Sequence, residues 1–200
     1  MSLKVKVKVG NITNLSDARY CAGMGVDMLG FSISEDERQG ISEVKFKEIT
    51  NWVSGPEFVL EVHEGAIPTV GEEHSINLIE LQASRIENLL LSGSKHQYLI
   101  GIDVSDWTQY KSNLLKHVGA INYVIVSNSK SMDNLQVKRL IEEMSIDFSV
   151  LIGFEIKIAL LDEYLTWPIA GLSLNGSEEL SPGIKDYDHL SFILEKLEVD

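Results

Sequence analysis

The chain has a single cysteine, Cys21, so no disulfide can form within it, and its five histidines show no His-x-His, His-x₃-His or neighbouring-cysteine spacing that would suit a metal. Basic residues are also scarce. Lys and Arg total 17 against 30 Asp and Glu, a net charge of -13, so no long-range field draws the chain to nucleic acid or to an anionic membrane. No apolar run approaches the ~18 residues of a membrane span, and no charged-then-apolar leader opens the chain, which gives the expectation of a cytoplasmic protein. Prolines number only four, and no linker or low-complexity tract breaks the sequence. With 44% apolar and 24% charged residues, one domain spanning 1–200 with one sizeable core is expected.

What is present is an alternation. Short apolar runs recur at Val5–Val9, Met28–Ser32, Phe58–Val62, Leu78–Leu81, Tyr98–Ile102, Tyr123–Val126, Phe148–Ile152 and Ile169–Leu172. Between most of them lie segments with apolar residues three and four apart, such as Phe46, Ile49 and Val53, or Ile86, Leu89 and Leu90, or Val137, Leu140, Ile141 and Met144. Ser16, Ser42, Ser84 and Asp133 stand near helix starts, where a side-chain oxygen can accept from an unpaired backbone N–H. Eight strand and helix units predict an α/β fold, a single (β/α)₈ barrel of minimal length. The third unit is the weak one, because Gly65, Pro68 and Gly71 fall between His63 and Asn77 and predict a short, irregular or absent helix.

Some local patterns carry no chemistry in this context. "GMGVDMLG" (23–30) has the glycines of a nucleotide loop, but they follow a helix and precede a strand, the reverse of the order that points amides at a phosphate. Gly25 reads instead as a helix C-terminal glycine, and Cys21, inside the first helix, as a packing residue. Carboxylates near strand ends are candidate acids or bases: Glu61, Glu80, Asp103 and Glu155. The competing reading makes each a solvated loop residue, or an inward barrel residue paired with a lysine such as Lys8. His63, at the third strand's end, reads as a surface histidine.

The stretch "KVKVGNITNLSDARYCAGMGVDMLGFSIS" (6–34) resembles the start of the phosphoribosylanthranilate isomerase family of tryptophan biosynthesis, whose first strand and helix follow K-[IV]-C-G-I-T-N-x-x-D-A and whose second strand follows G-A-D-x-[LIV]-G-F. Lys8, Ile12, Thr13, Asn14, Asp17, Ala18, Gly25, Asp27, Gly30 and Phe31 carry the match. The likeness continues through "RQGIS", "NLIELQA" and "SPGIKDYDHL". It implies a (β/α)₈ barrel and an intramolecular aldose–ketose isomerisation, an Amadori rearrangement that needs no cofactor. In that reaction an acid protonates the ribose ring oxygen and a base removes the C2 proton.

The resemblance also marks departures. Gly10 stands at the family's catalytic cysteine and is followed by Asn11, while Ser127, in "YVIVSNSK", stands at the catalytic aspartate. For the phosphate it implies the loops after strands seven and eight, here Gly153 followed by Phe154, and "SLNGSEE" with Asn175 and Gly176, next to Glu178 and Glu179. Lys8, Asn11 and Gln82 complete the implied ligand contacts. The family's carboxylate-binding arginine aligns with Gln39, and Arg38 precedes it. Three readings follow, in this order: an isomerase-like barrel with impaired chemistry that binds a small, phosphorylated metabolite at its C-terminal mouth; a working isomerase that uses Asp103, Glu61 or Glu80 as substitutes; and a retired enzyme acting through a protein partner. All three make the chain a monomer or homodimer without nucleic-acid or membrane partners.

Overall fold

The computed structural model describes residues 2–34, 36, 39–63, 76–86, 96–176, 179–181, 184–185 and 188–199. Eight parallel strands close into a barrel in sequence order: β1 Lys6–Gly10, β2 Met28–Phe31, β3 Glu57–Val62, β4 Leu78–Gln82, β5 Gln97–Asp103, β6 Ile121–Ser127, β7 Val150–Ile152 and β8 Gly171–Asn175, with β8 pairing back onto β1. The eight-strand barrel read from the sequence is therefore the observed one. A small antiparallel pair, β9 Glu179–Ser181 and β10 Ile184–Lys185, follows β8.

Helices α1 Leu15–Gly23, α2 Glu43–Asn51, α3 Trp107–Lys116, α4 Asn134–Met144, α5 Leu161–Tyr164 and α6 Asp188–Leu197 lie between and after the strands. Ser42 and Asp133 cap α2 and α4 as expected, accepting from the N–H groups of Lys45 and of Leu135 and Gln136. The cap of α1 is Asn14 rather than Ser16, because extended backbone at Asn14 (φ -150°, ψ 165°) lets its Oδ1 accept from Asp17 N–H at 2.9 Å. Ser84 sits inside a short 3₁₀ turn, Ala83–Arg85. Gly25, two residues beyond α1, has φ 78°, a left-handed conformation that favours glycine. The expected weak third helix and Leu89 and Leu90 lie outside the described residues.

Strand alternation divides the apolar residues into two cores. One face of each strand packs outward against the helices, through residues such as Val7, Val9, Leu29, Phe31, Leu60, Ile79, Ile100, Val126, Ile152 and Leu172. The other face points into the barrel, where Met28, Val59, Leu78, Leu99, Ile125 and Leu151 form a separate apolar cluster. Following the same face one step toward the strand C-termini, the inward residues change character to Lys8, Gly30, Glu61, Glu80, Gly101, Gly153 and Ser173, then Gly10, Gln82, Asp103, Ser127 and Asn175 at the rim. That polar upper layer lines the mouth. No helix among the described residues is long and apolar enough to cross a membrane.

Candidate functional site

The centre of the upper layer is a buried ion trio. The Lys8 stem runs into the barrel from β1, past glycine on β2, and its Nζ lies 2.5 Å from Glu61 Oε1 on β3 and 2.6 Å from Glu80 Oε2 on β4. The side chains of Lys8 and Glu61 are 2% and 5% exposed, and that of Glu80, facing the mouth, is 16% exposed. Glu61 Oε2 also accepts from the Asn11 N–H at 3.0 Å. Glu80 Oε2 is buried and, beyond its ion contact with Lys8, has no well-directed hydrogen bond.

One cation between two carboxylates leaves the trio a charge short of neutral, and the ionisation equilibria move accordingly. Burial pushes the Glu80 carboxyl above its usual range, opposed by the charge of Lys8 and reinforced by that of Glu61. Burial works the other way on Lys8, but Glu80 and Glu61 together outweigh it and hold the ammonium above its ordinary value. Lys8 is thus a fixed cation, and Glu80 holds a proton more readily than an ordinary glutamate.

The trio explains the glycine at position 10. A Cβ on Gly10 would collide with Glu61 Oε1 and lie 2.9 Å from Lys8 Nζ. A Cβ on Gly30 would collide with the same oxygen. The Glu61 carboxylate therefore occupies the space over two adjacent strands in which a side chain at position 10 would begin. Gln82 plays a similar part on the far side of β4, its amide Nε2 2.8 Å from where a Gly101 Cβ would stand.

Asp103 is placed differently. It ends β5 and accepts from Ser105 N–H (3.0 Å), Ser105 Oγ (2.7 Å), Ser129 N–H (2.7 Å) and Ser129 Oγ (2.5 Å). Burial raises its pKa, but these bonds from Ser105 and Ser129 more than reverse that and hold it well below the usual carboxylate range. It is a clamp between the loops after β5 and β6 and has no proton to offer near neutral pH. Ser127, at the end of β6, pairs in register with Asp103, and its hydroxyl reaches Ile102 O at 3.4 Å.

Both glycine amides of the implied phosphate site are already engaged. Gly153 N–H donates to Val126 O at 2.9 Å, and Gly176 N–H donates to Gly10 O at 2.7 Å. Beside them is a cavity of about 270 Å³ lined by Gly153, Glu155, Ser173, Asn175 and His189 among others. Asn11, with φ 54°, turns the chain out of β1 at the rim. His63 is exposed and lies 3.1 Å from Ser32 Oγ. Gln39 is exposed, and Arg38 and Glu178 lie outside the described residues. Cys21 is buried in α1, among the residues packed between helix and barrel.

Sequence reasoning brought forward Lys8, Glu61 and Glu80, and the structure joins them. It missed the Asp103 clamp, because Ser129 lies 26 residues away and nothing local signals the contact.

No protein-family model matches the chain. Among curated proteins it is 36% identical over 93 residues to the N-(5'-phosphoribosyl)anthranilate isomerase of Chlamydia trachomatis serovar L2, a match covering 44% of this chain. The chain spans 40% of the length of that relative. Among solved structures, the phosphoribosylanthranilate isomerases of Thermotoga maritima and Thermus thermophilus superpose with TM-scores of 0.72 and 0.71, each at 18% identity over 96% of this chain and 98% of theirs. KGPDC from Streptococcus mutans superposes at 0.62 with 12% identity over 98% of this chain and 99% of its own, so the fold is not confined to those isomerases. In sequence over those 93 residues, and in fold over almost its whole length, this chain is similar to the phosphoribosylanthranilate isomerases.

Proposed function

We propose that the chain is a divergent phosphoribosylanthranilate isomerase-like barrel in which the Amadori rearrangement is impaired and whose C-terminal mouth binds a small phosphorylated metabolite. The observation that carries the reading is the Glu61 carboxylate lying in the space where a side chain at position 10 would begin. The rearrangement requires an acid and a base on opposite sides of one sugar, each contributing ~10²–10⁴-fold. Gly10 has no side chain, and the Ser127 hydroxyl has only a carbonyl beside it. The polar side chains around the rim support a ligand rich in hydroxyls, with Asn11, Gln82, Ser127 and Asn175 as its partners. A phosphate would rest on the Phe154 amide, since the amides of Gly153 and Gly176 are taken and the residue after Gly176 lies outside the described residues.

The test is a coupled assay of the purified protein with freshly made phosphoribosylanthranilate, beside titration calorimetry with a phosphate ester. The expected kcat/KM is at least ~10³-fold below that of an intact family member, and the expected affinity is millimolar, about -4 kcal/mol. A kcat/KM of about 10⁴ M⁻¹s⁻¹ or more would overturn the impaired reading.

A further inference from the structure

Losing the two-group rearrangement does not empty the mouth of proton-transfer chemistry. The trio of Lys8, Glu61 and Glu80 sits on the inward face just above the apolar barrel core, where a hydrophobic layer would serve stability as well or better. Its members differ in access: Lys8 and Glu61 are closed off, while Glu80 reaches the mouth. The groups that face Glu80 are Lys8 from β1 and Glu61 and His63 from β3, and β5 sets Leu99 beside it at the paired position. Gln82, two residues further along β4 and on the same face, places an amide at the exposed rim.

We propose that Glu80 is a catalytic acid–base group, positioned by Lys8 and Glu61, that exchanges the proton on a carbon next to the carbonyl of an open-chain sugar or sugar phosphate seated in the mouth. This rests on the reading of the mouth as a ligand site and goes beyond it by assigning a reaction and a residue.

The step is complete without any co-reactant. The Glu80 carboxylate removes the proton, the C–H electron pair becomes the C=C bond of an enediolate, and the carbonyl π pair moves onto its oxygen, which accepts a hydrogen bond from the Gln82 amide. The Glu80 carboxyl proton exchanges with water, and transfer of the solvent-derived proton from Glu80 to the carbon restores the carbonyl compound. One group suffices, because no ring has to be opened and no leaving group protonated. Lys8, locked in its ion pairs, holds the Glu80 carboxylate in place and stays out of the reaction. The elevated pKa of Glu80 suits the task, since a carboxylate that binds its proton more tightly is a stronger base.

The experiment incubates the protein in D₂O with D-ribulose 5-phosphate and, separately, with D-ribulose, and follows loss of the hydrogens next to the carbonyl by proton NMR. Calorimetry with the same two compounds runs in parallel. The expected result is exchange above the buffer rate, lowered about 10²-fold or more by Glu80→Gln and only partly by Glu80→Asp. The rate should rise with pH through a single ionisation above the usual glutamate value. Exchange with the phosphate ester alone would place the phosphate in the recognition, and exchange with both would place recognition in the sugar. Binding without exchange, or exchange that is unchanged in Glu80→Gln, overturns the catalytic assignment and leaves the mouth reading standing. Neither binding nor exchange overturns both. Should Glu80→Gln fail to fold, the wild-type rate and its pH profile still decide, and a flat profile overturns the proposal.

Discussion

Placing a cysteine at position 10 tests the geometry most directly. In Gly10→Cys the new Cβ meets Glu61 Oε1 and comes within 2.9 Å of Lys8 Nζ, so the Glu61 carboxylate has to leave its seat. Two interactions go with it: the 2.5 Å pair with Lys8 and the 3.0 Å bond from Asn11 N–H. Breaking a buried ion pair costs ~3–5 kcal/mol, at the low end here because Lys8 keeps Glu80 at 2.6 Å. A loss of about 3 kcal/mol would shift a urea midpoint by roughly 1–1.5 M at an m-value of 2–3 kcal/mol/M.

The diagnostic is a double-mutant cycle. Glu61→Ala alone should cost a similar amount, but in that background Gly10→Cys has room and should cost little, giving a coupling energy of about 2–3 kcal/mol. Equilibrium urea unfolding of the four proteins measures it. A Gly10→Cys protein within ~0.5 kcal/mol of wild type, or costs that simply add, would refute the claim that one carboxylate fills the space of the missing side chain.

Two further outcomes concern ionisation. Because the folded-state pKa of Glu80 is raised, its contribution to stability is full below the unfolded glutamate value near ~4.3 and is lost as pH rises through the folded value; melting temperatures of Glu80→Gln should therefore gain on wild type as pH rises from about 4 toward 8, and a pH-independent difference would contradict this. Asp103 has the opposite sign, since its lowered pKa makes its contribution full above the unfolded aspartate value near ~3.9 and lost as pH falls toward the folded value. Asp103→Asn should accordingly cost about 1.5–3 kcal/mol at pH 7 in urea unfolding, with the gap to wild type narrowing in acid, and an unchanged midpoint at pH 7 would show that the clamp between the β5 and β6 loops contributes nothing.

The fold was legible because barrel strands are short, apolar and regularly spaced, and the strand runs read from sequence overlap all eight observed strands. Boundaries moved where side chains cannot report them. The eighth strand, read as 169–172, runs from Gly171 to Asn175, because its pairing with β1 carries it up to the rim. Inward orientation was partly legible too: in "KVKVG" and "VLEVH" the charged residues alternate with residues that pack outward. What the sequence could not convey is reach. The contact between Lys8 and Glu61 spans 53 residues and crosses β2, and it depends on Gly30, a residue with no side chain to draw notice. The glycine at position 10 could be read; the carboxylate that lies against it could not.

That contact also bears on packing at position 10. Truncating a buried side chain and nothing more leaves a void, at a cost of about 24 cal/mol per Å³ of cavity in addition to lost contacts. Position 10 has no such void, because an oxygen from β3 lies where the side chain would start. That oxygen is held from two sides, by a lysine two residues earlier on β1 and by the Asn11 N–H at the first step of the following loop. Glu61 without Gly10 would collide, and Gly10 without Glu61 would leave Lys8 with one carboxylate and Asn11 N–H without its acceptor. The two residues therefore fit one another. Glu61 is thus a buried carboxylate with its own cation, a backbone donor and two glycines beside it, and Glu80 is the member of the trio most open to solvent.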